Sequence, residues 1–146
     1  MQKFQKEYDA IFSRFLLHYN NPKDQKTICK NIADAITPNG LAYVVEAVSA
    51  SEYEKDRMNR LQEILSKITG CNLKYWMTDT GLIRTVGMSG LEIRDMEPSD
   101  TYTFNLDNFY KSRYGLNDEQ SKEVAGYLGP NGVEAKIMRI YLQKRE

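Results

Sequence analysis

The chain has 146 residues, enough for one domain with an unaided core, and its 41% hydrophobic fraction leans on ten tyrosines. Twenty basic and twenty acidic residues cancel, which removes the broad positive field behind non-specific nucleic-acid binding. No long apolar run suggests a membrane span, and the chain reads as a cytoplasmic protein.

In the opening MQKFQKEYDAIF, Lys3, Lys6 and Glu7 stand where a signal peptide needs an apolar stretch, so secretion is not expected. Phe4, Tyr8, Ile11, Phe12, Phe15, Leu16 and Tyr19 recur at three- and four-residue intervals, which predicts a helix stopped by Asn20-Asn21-Pro22. Asn21 then caps a second helix opened by Pro22, with Ile28, Ile32, Ala35 and Ile36 facing inward. Thr37 and Pro38 launch a third, carrying Leu41, Val44, Val45 and Val48. The stripe resumes after Ser51 through Tyr53, Leu61, Ile64, Leu65 and Ile68, and Gly70 ends it.

The pattern then changes. Residues 72–78, 82–88 and 91–96 read as a three-stranded meander, turned at Asp79-Thr80-Gly81 and at Ser89-Gly90, and TYTFNL adds a possible fourth strand. Asp107 caps a helix through Tyr114, Asn117 one through Leu128, and Gly129-Pro130 opens a last helix with Val133, Ile137, Ile140 and Tyr141. The expected fold is α+β: five to six helices packed on a small antiparallel three- to four-stranded meander. It forms one domain over 1–146, with a helical part at 1–70, the β-meander at 71–106 and C-terminal helices at 107–146.

Pro-Asn-Gly occurs twice, at 38–40 and 130–132, each time after a predicted helix. Both copies read as helix starts within helix-turn-helix pairs, and Gly40 and Gly132 would leave backbone N–H groups open to an anion, although no Gly-rich phosphate loop accompanies them.

Chemistry is hard to find. His18, the only imidazole, sits beside the apolar stripe in FLLHY and reads as a packed residue. Asp79 belongs to the Asp-Thr-Gly triplet found in aspartic proteases, which need two such carboxylates; here it reads as a turn residue. Cys29 and Cys71 lack the spacing of a disulfide framework, a redox pair or a zinc site. Asp95, Glu97 and Asp100 form a weak cation candidate without an EF-hand pattern. No cofactor motif is present, so no cofactor, no metal and no catalysis are expected.

Surface recognition remains. Tyr110, Lys111, Arg113 and Tyr114 in NFYKSRYG, with Lys74 and Trp76 in LKYWM, combine rigid aromatic area with directional cations, the composition of contact sites. The residues therefore point to a non-enzymatic domain that binds another protein as an adaptor, inhibitor or assembly component. The alternative is a nucleic-acid-binding helix-turn-helix with a β-hairpin wing bearing Arg84, disfavoured by the balanced charge and by a recognition helix without Arg or Lys.

Overall fold

The computed structural model describes residues 7–145, without the side chains of Pro98 and Ser99. Lys3, Phe4 and Lys6, used in the reading of the first segment, lie outside the described residues.

Among the described residues, four strands form one mixed sheet: β1 (Tyr8–Arg14), β2 (Ile36–Ser49), β3 (Leu91–Phe104) and β4 (Val133–Lys144), in the order β1-β2-β4-β3. β1 and β2 are parallel, and both other pairs are antiparallel. Parallel neighbours need a crossover, supplied here by helix α1 (Pro22–Ala35). Helices α2 (Glu52–Thr69) and α3 (Asp79–Gly87) connect β2 to β3. A π-helical turn (Leu106–Tyr110), α4 (Lys111–Tyr114) and α5 (Asp118–Leu128) connect β3 to β4.

Side chains facing the two sides of the sheet build two cores. On one side, Ala42, Val44 and Val48 of β2 and Met138, Ile140 and Leu142 of β4 pack with Ile28 and Ile32 of α1 and Leu82 and Val86 of α3. On the other, Val133 and Ala135 of β4 meet Met58, Leu61 and Leu65 of α2, Tyr110, and Val124 and Leu128 of α5. A sheet buried on both faces needs apolar residues at successive positions rather than at alternate ones. Among the described residues, no helix is long and apolar enough to cross a membrane.

Several helix signals read from the sequence coincide with real caps. The Asn21 side chain accepts from the Asp24 N–H and Pro22 takes the first turn of α1. Ser51 accepts from the Glu54 N–H, and Gly70 closes α2 with φ of 73°. Asn117 and Gln120 form a capping box at the start of α5.

The expected small meander is not what forms. The predicted first helix is β1 followed by a single 3-10 turn, the helix expected after Pro38 is the long strand β2, and the one expected after Pro130 is β4. Leu41, Val44, Val45 and Val48 satisfy helical spacing, but a mostly apolar run buried on both faces satisfies strand spacing equally well, and periodicity cannot separate the two. Within 72–88, the expected hairpin is a loop and a helix. The Thr78 hydroxyl accepts from the Gly81 N–H at 3.1 Å, which makes Asp79-Thr80-Gly81 the first turn of α3. The two expected segments at 91–96 and 101–106 become mostly one strand, β3, with register shifts on either side of Asp95–Pro98.

The two Pro-Asn-Gly copies differ: the first lies inside β2, where the pairing with β1 shifts register, and the second forms the turn from α5 to β4. The glycines are required by close approach. A Cβ on Gly40 would stand 2.9 Å from the Asp9 carbonyl oxygen, and one on Gly132, whose φ is 68°, would stand 2.5 Å from that of Phe104. Neither glycine opens a helix, so the anion reading lapses. The helix-turn-helix alternative falls with it, because its recognition helix is the strand β2 and its wing is α3.

Candidate functional site

β1 and β2 end at the same edge of the sheet, where the antiparallel β4 begins, and a cavity of about 280 Å³ opens there. The carboxyl ends of parallel strands are where open α/β sheets place ligands, because the loops that follow diverge and leave a crevice. Phe15, His18, Tyr19, Trp76, Phe109 and Arg113 supply much of its wall.

The chain leaves β1 through a strained residue. Phe15 has φ of 52°, the only positive φ at a non-glycine position among the described residues, while its N–H still donates to the Val45 carbonyl at 2.8 Å. A bulky side chain held there costs of order 1–3 kcal/mol, and such strain concentrates at functional sites. The turn sends the chain back across the end of β2 and presents Leu17 and His18 to Glu46.

Glu46 is fully buried and His18 is nearly so. One carboxylate oxygen accepts the Leu17 N–H at 3.1 Å; the other lies 2.5 Å from Nδ1 of His18 and accepts the His18 N–H at 3.5 Å. A buried carboxylate requires such donors, which assigns the imidazole proton to Nδ1 and leaves Nε2, which has no partner among the described residues, able to accept a proton. The ring lies near-parallel to Trp76, with centroids 5.3 Å apart, and at 4.4 Å from Tyr19.

Polar side chains hold these loops in place. Gln25 Nε2 donates to the carbonyls of Leu17 and Asn20 at 3.1 and 2.9 Å, and the Tyr75 N–H donates to the His18 carbonyl at 2.6 Å. Asn59 on α2 clamps the Trp76 backbone, accepting its N–H at 2.7 Å and donating to its carbonyl at 3.1 Å. The buried Gln62 accepts from the Tyr114 hydroxyl at 3.3 Å. Lys74, Arg113 and Lys136 line the same wall. Lys74 Nζ lies 5.3 Å from the Tyr19 ring centroid and 5.4 Å from that of Tyr114, and Arg113 Nη2 donates to the Tyr19 hydroxyl at 3.4 Å. Burial, with Arg113 adding like-charge repulsion, pulls the Lys74 ammonium below the usual lysine range.

Of the residues singled out from the sequence, Lys74, Trp76 and Arg113 come together at this cavity, and Tyr114 stands behind Lys74. Tyr110 is buried, not a surface contact; burial drives its phenol far above the usual tyrosine range. Lys111 is exposed on α4 and does not line the cavity. Arg84 lies on α3, in a separate cleft with Glu52 and Lys55. Asp95, Glu97 and Asp100 sit in strand β3 rather than in a turn, and among the described residues no three acidic, histidine or cysteine side chains gather closely enough to hold a metal. Sequence reading missed Phe15, His18 and Glu46. The available signal was Glu46 itself, a charge inside the apolar run LAYVVEAV that must find a partner if buried.

No family model matches the chain, and no curated protein sequence matches it. Solved structures do. The chain superposes over 100% of its length on 68% of a protein from Bacillus halodurans assigned as a methyltransferase, with a TM-score of 0.76 and 10% identity. It also superposes over 97% of its length on 65% of the YcgJ protein of Bacillus subtilis (TM-score 0.69, 12% identity). The same share covers 57% of the cyclopropane synthase MmaA2 of Mycobacterium tuberculosis (TM-score 0.59, 10% identity). The chain thus shares the Rossmann-like fold of these proteins and spans between about half and two thirds of their length. This corrects the expectation of helices on a small meander, and with it the expectation of a non-enzymatic adaptor or inhibitor, since this architecture is shared with proteins named for catalysis.

Proposed function

We propose that the chain is the acceptor-binding part of a methyl-transfer enzyme, with the cavity at the ends of β1 and β2 as its acceptor site. The observation that carries this reading is the buried His18–Glu46 pair, placed where α/β sheets bind ligands and walled by aromatic rings.

A methyl donor of the sulfonium nucleoside class would supply the transferred group. The cavity itself is not the site of that donor: β1 runs into Phe15-Leu16-Leu17-His18 rather than a glycine-rich strand-to-helix turn, and no carboxylate suited to a ribose lines the cavity. What this chain offers is the other half of the chemistry. An acceptor hydroxyl must lose its proton to become a good nucleophile. His18 Nε2 can take that proton, while Glu46 holds the ring by Nδ1 and stabilises the imidazolium that forms. Trp76 and Tyr19 exclude water from the ring faces.

The test is transfer of a labelled methyl group from S-adenosylmethionine to a panel of hydroxy-bearing acceptors by the intact protein. The expected result is turnover that falls about 10²–10⁴-fold in His18→Gln, with an unchanged circular-dichroism spectrum. Undiminished transfer by the variant would remove His18 from this role.

A further inference from the structure

The charge of the cavity wall narrows what the acceptor can be. No Asp or Glu lines the cavity, whereas Lys74, Arg113 and, from β4, Lys136 do. Among the described residues, none of the three forms an ion pair; the named partners of Lys74 and Arg113 are the rings of Tyr19 and Tyr114 and the Tyr19 hydroxyl. Lys74, half-buried, lies close enough to the exposed Arg113 to feel its charge, so these two repel each other. An entering anion would relieve that repulsion. A neutral guest would leave it, and a cationic guest would add to it.

The remaining wall selects shape. Phe15, Tyr19, Trp76 and Phe109 present flat faces and edges, and about 280 Å³ accommodates one or two rings. Trp76 is fixed at its backbone by Asn59, so the stacking surface is preorganised.

We propose that the cavity binds a planar aromatic carboxylate, its ring against Trp76 and its carboxylate between Lys74 and Arg113. This specifies the acceptor of the methyl-transfer reading and rests on that reading for its catalytic meaning. The binding itself follows from the wall. A hydroxyl on the far side of such a ring would be the group offered to His18.

Trp76 is the only tryptophan of the chain, so its fluorescence reports the cavity directly. Titrate the intact protein with 4-hydroxycinnamate and with its uncharged isostere 4-hydroxycinnamide, by calorimetry and by Trp76 emission. The carboxylate should quench Trp76 and bind at least about 10-fold more tightly than the amide, with the advantage shrinking as salt rises. In Lys74→Met/Arg113→Met the two ligands should bind within about 2-fold of each other, while Arg113→Lys should keep part of the preference. Equal binding of both ligands by the wild type, no response of Trp76, or a preference that survives the double substitution would each overturn the proposal. Carboxylate preference without any methyl transfer would sink the enzymatic reading and leave the ligand class standing. Methyl transfer to hydroxy acceptors without that preference would do the reverse.

Discussion

One face of the sheet carries aromatic side chains at two places, and only one became a site. Near the carboxyl ends of β1 and β2, Phe109 packs edge-on to Tyr110, and Tyr110 stacks with Tyr114 at 6.0 Å. Within the sheet itself, Phe12 of β1 stacks on Tyr43 of β2 at 5.5 Å, and Tyr43 lies tilted against Tyr141 of β4 at 4.8 Å. The residue types are alike. The first group is enclosed, because it rides on the π-helical turn and α4 and packs between β4, α2 and α5, leaving Tyr110 only 4% exposed. The second stays open, with Phe12 64% exposed. Rings alone provide area; a site also needs the closure that desolvates neighbouring polar groups such as His18 and Lys74.

That contrast can be broken at the enclosed group first. Tyr110→Ala removes a buried ring from the second core and should cost about 3–5 kcal/mol in urea unfolding, with the Trp76 environment altered in the remaining native state. A loss below about 1 kcal/mol would mean that this group is not packed as described.

The opposite face of the sheet gives a test through pH. Burial raises the Cys29 thiol from 9.0 to about 11, opposed by a hydrogen bond with Ser89 and reinforced by the Glu46 carboxylate. The unfolded chain ionises this thiol first, so its contribution is fully present below about pH 9 and is lost as pH rises to 11, by at most roughly 3 kcal/mol. Tyr110 shifts in the same direction, so the informative quantity is the difference between wild type and Cys29→Ala across that window. Parallel stability curves for the two proteins between pH 8 and 11 would exclude a buried, neutral Cys29.

The smallest effect belongs to the open stack. Phe12→Ala should cost less than about 1 kcal/mol by thermal melting, since most of that ring is already in water. A larger loss would show that the stack is covered in solution.

Legibility in the sequence followed how local each feature is. Asn21-Pro22, Ser51, Gly70 and Asn117 were readable because a cap is made within four residues of itself. Val44 and Val48 were misread because which face they bury depends on β4, some ninety residues away. Lys74, Trp76 and Arg113 stood out by composition, but nothing local reports that α2 and α4 bring them to one wall. His18 and Glu46 are 28 residues apart, and each looked unremarkable without the other.

By itself the amino-acid sequence determined the helix boundaries at its strong caps and the absence of a broad excess of charge. The caps depend on backbone geometry and side chains within a turn of one another. Tertiary structure alone decided that the apolar runs become strands of one mixed sheet, because burial on both faces erases the alternation that would have announced them. It also decided where chemistry is possible, since a carboxylate and an imidazole become a proton-handling pair only when the end of β1 folds back over β2 and both leave water together.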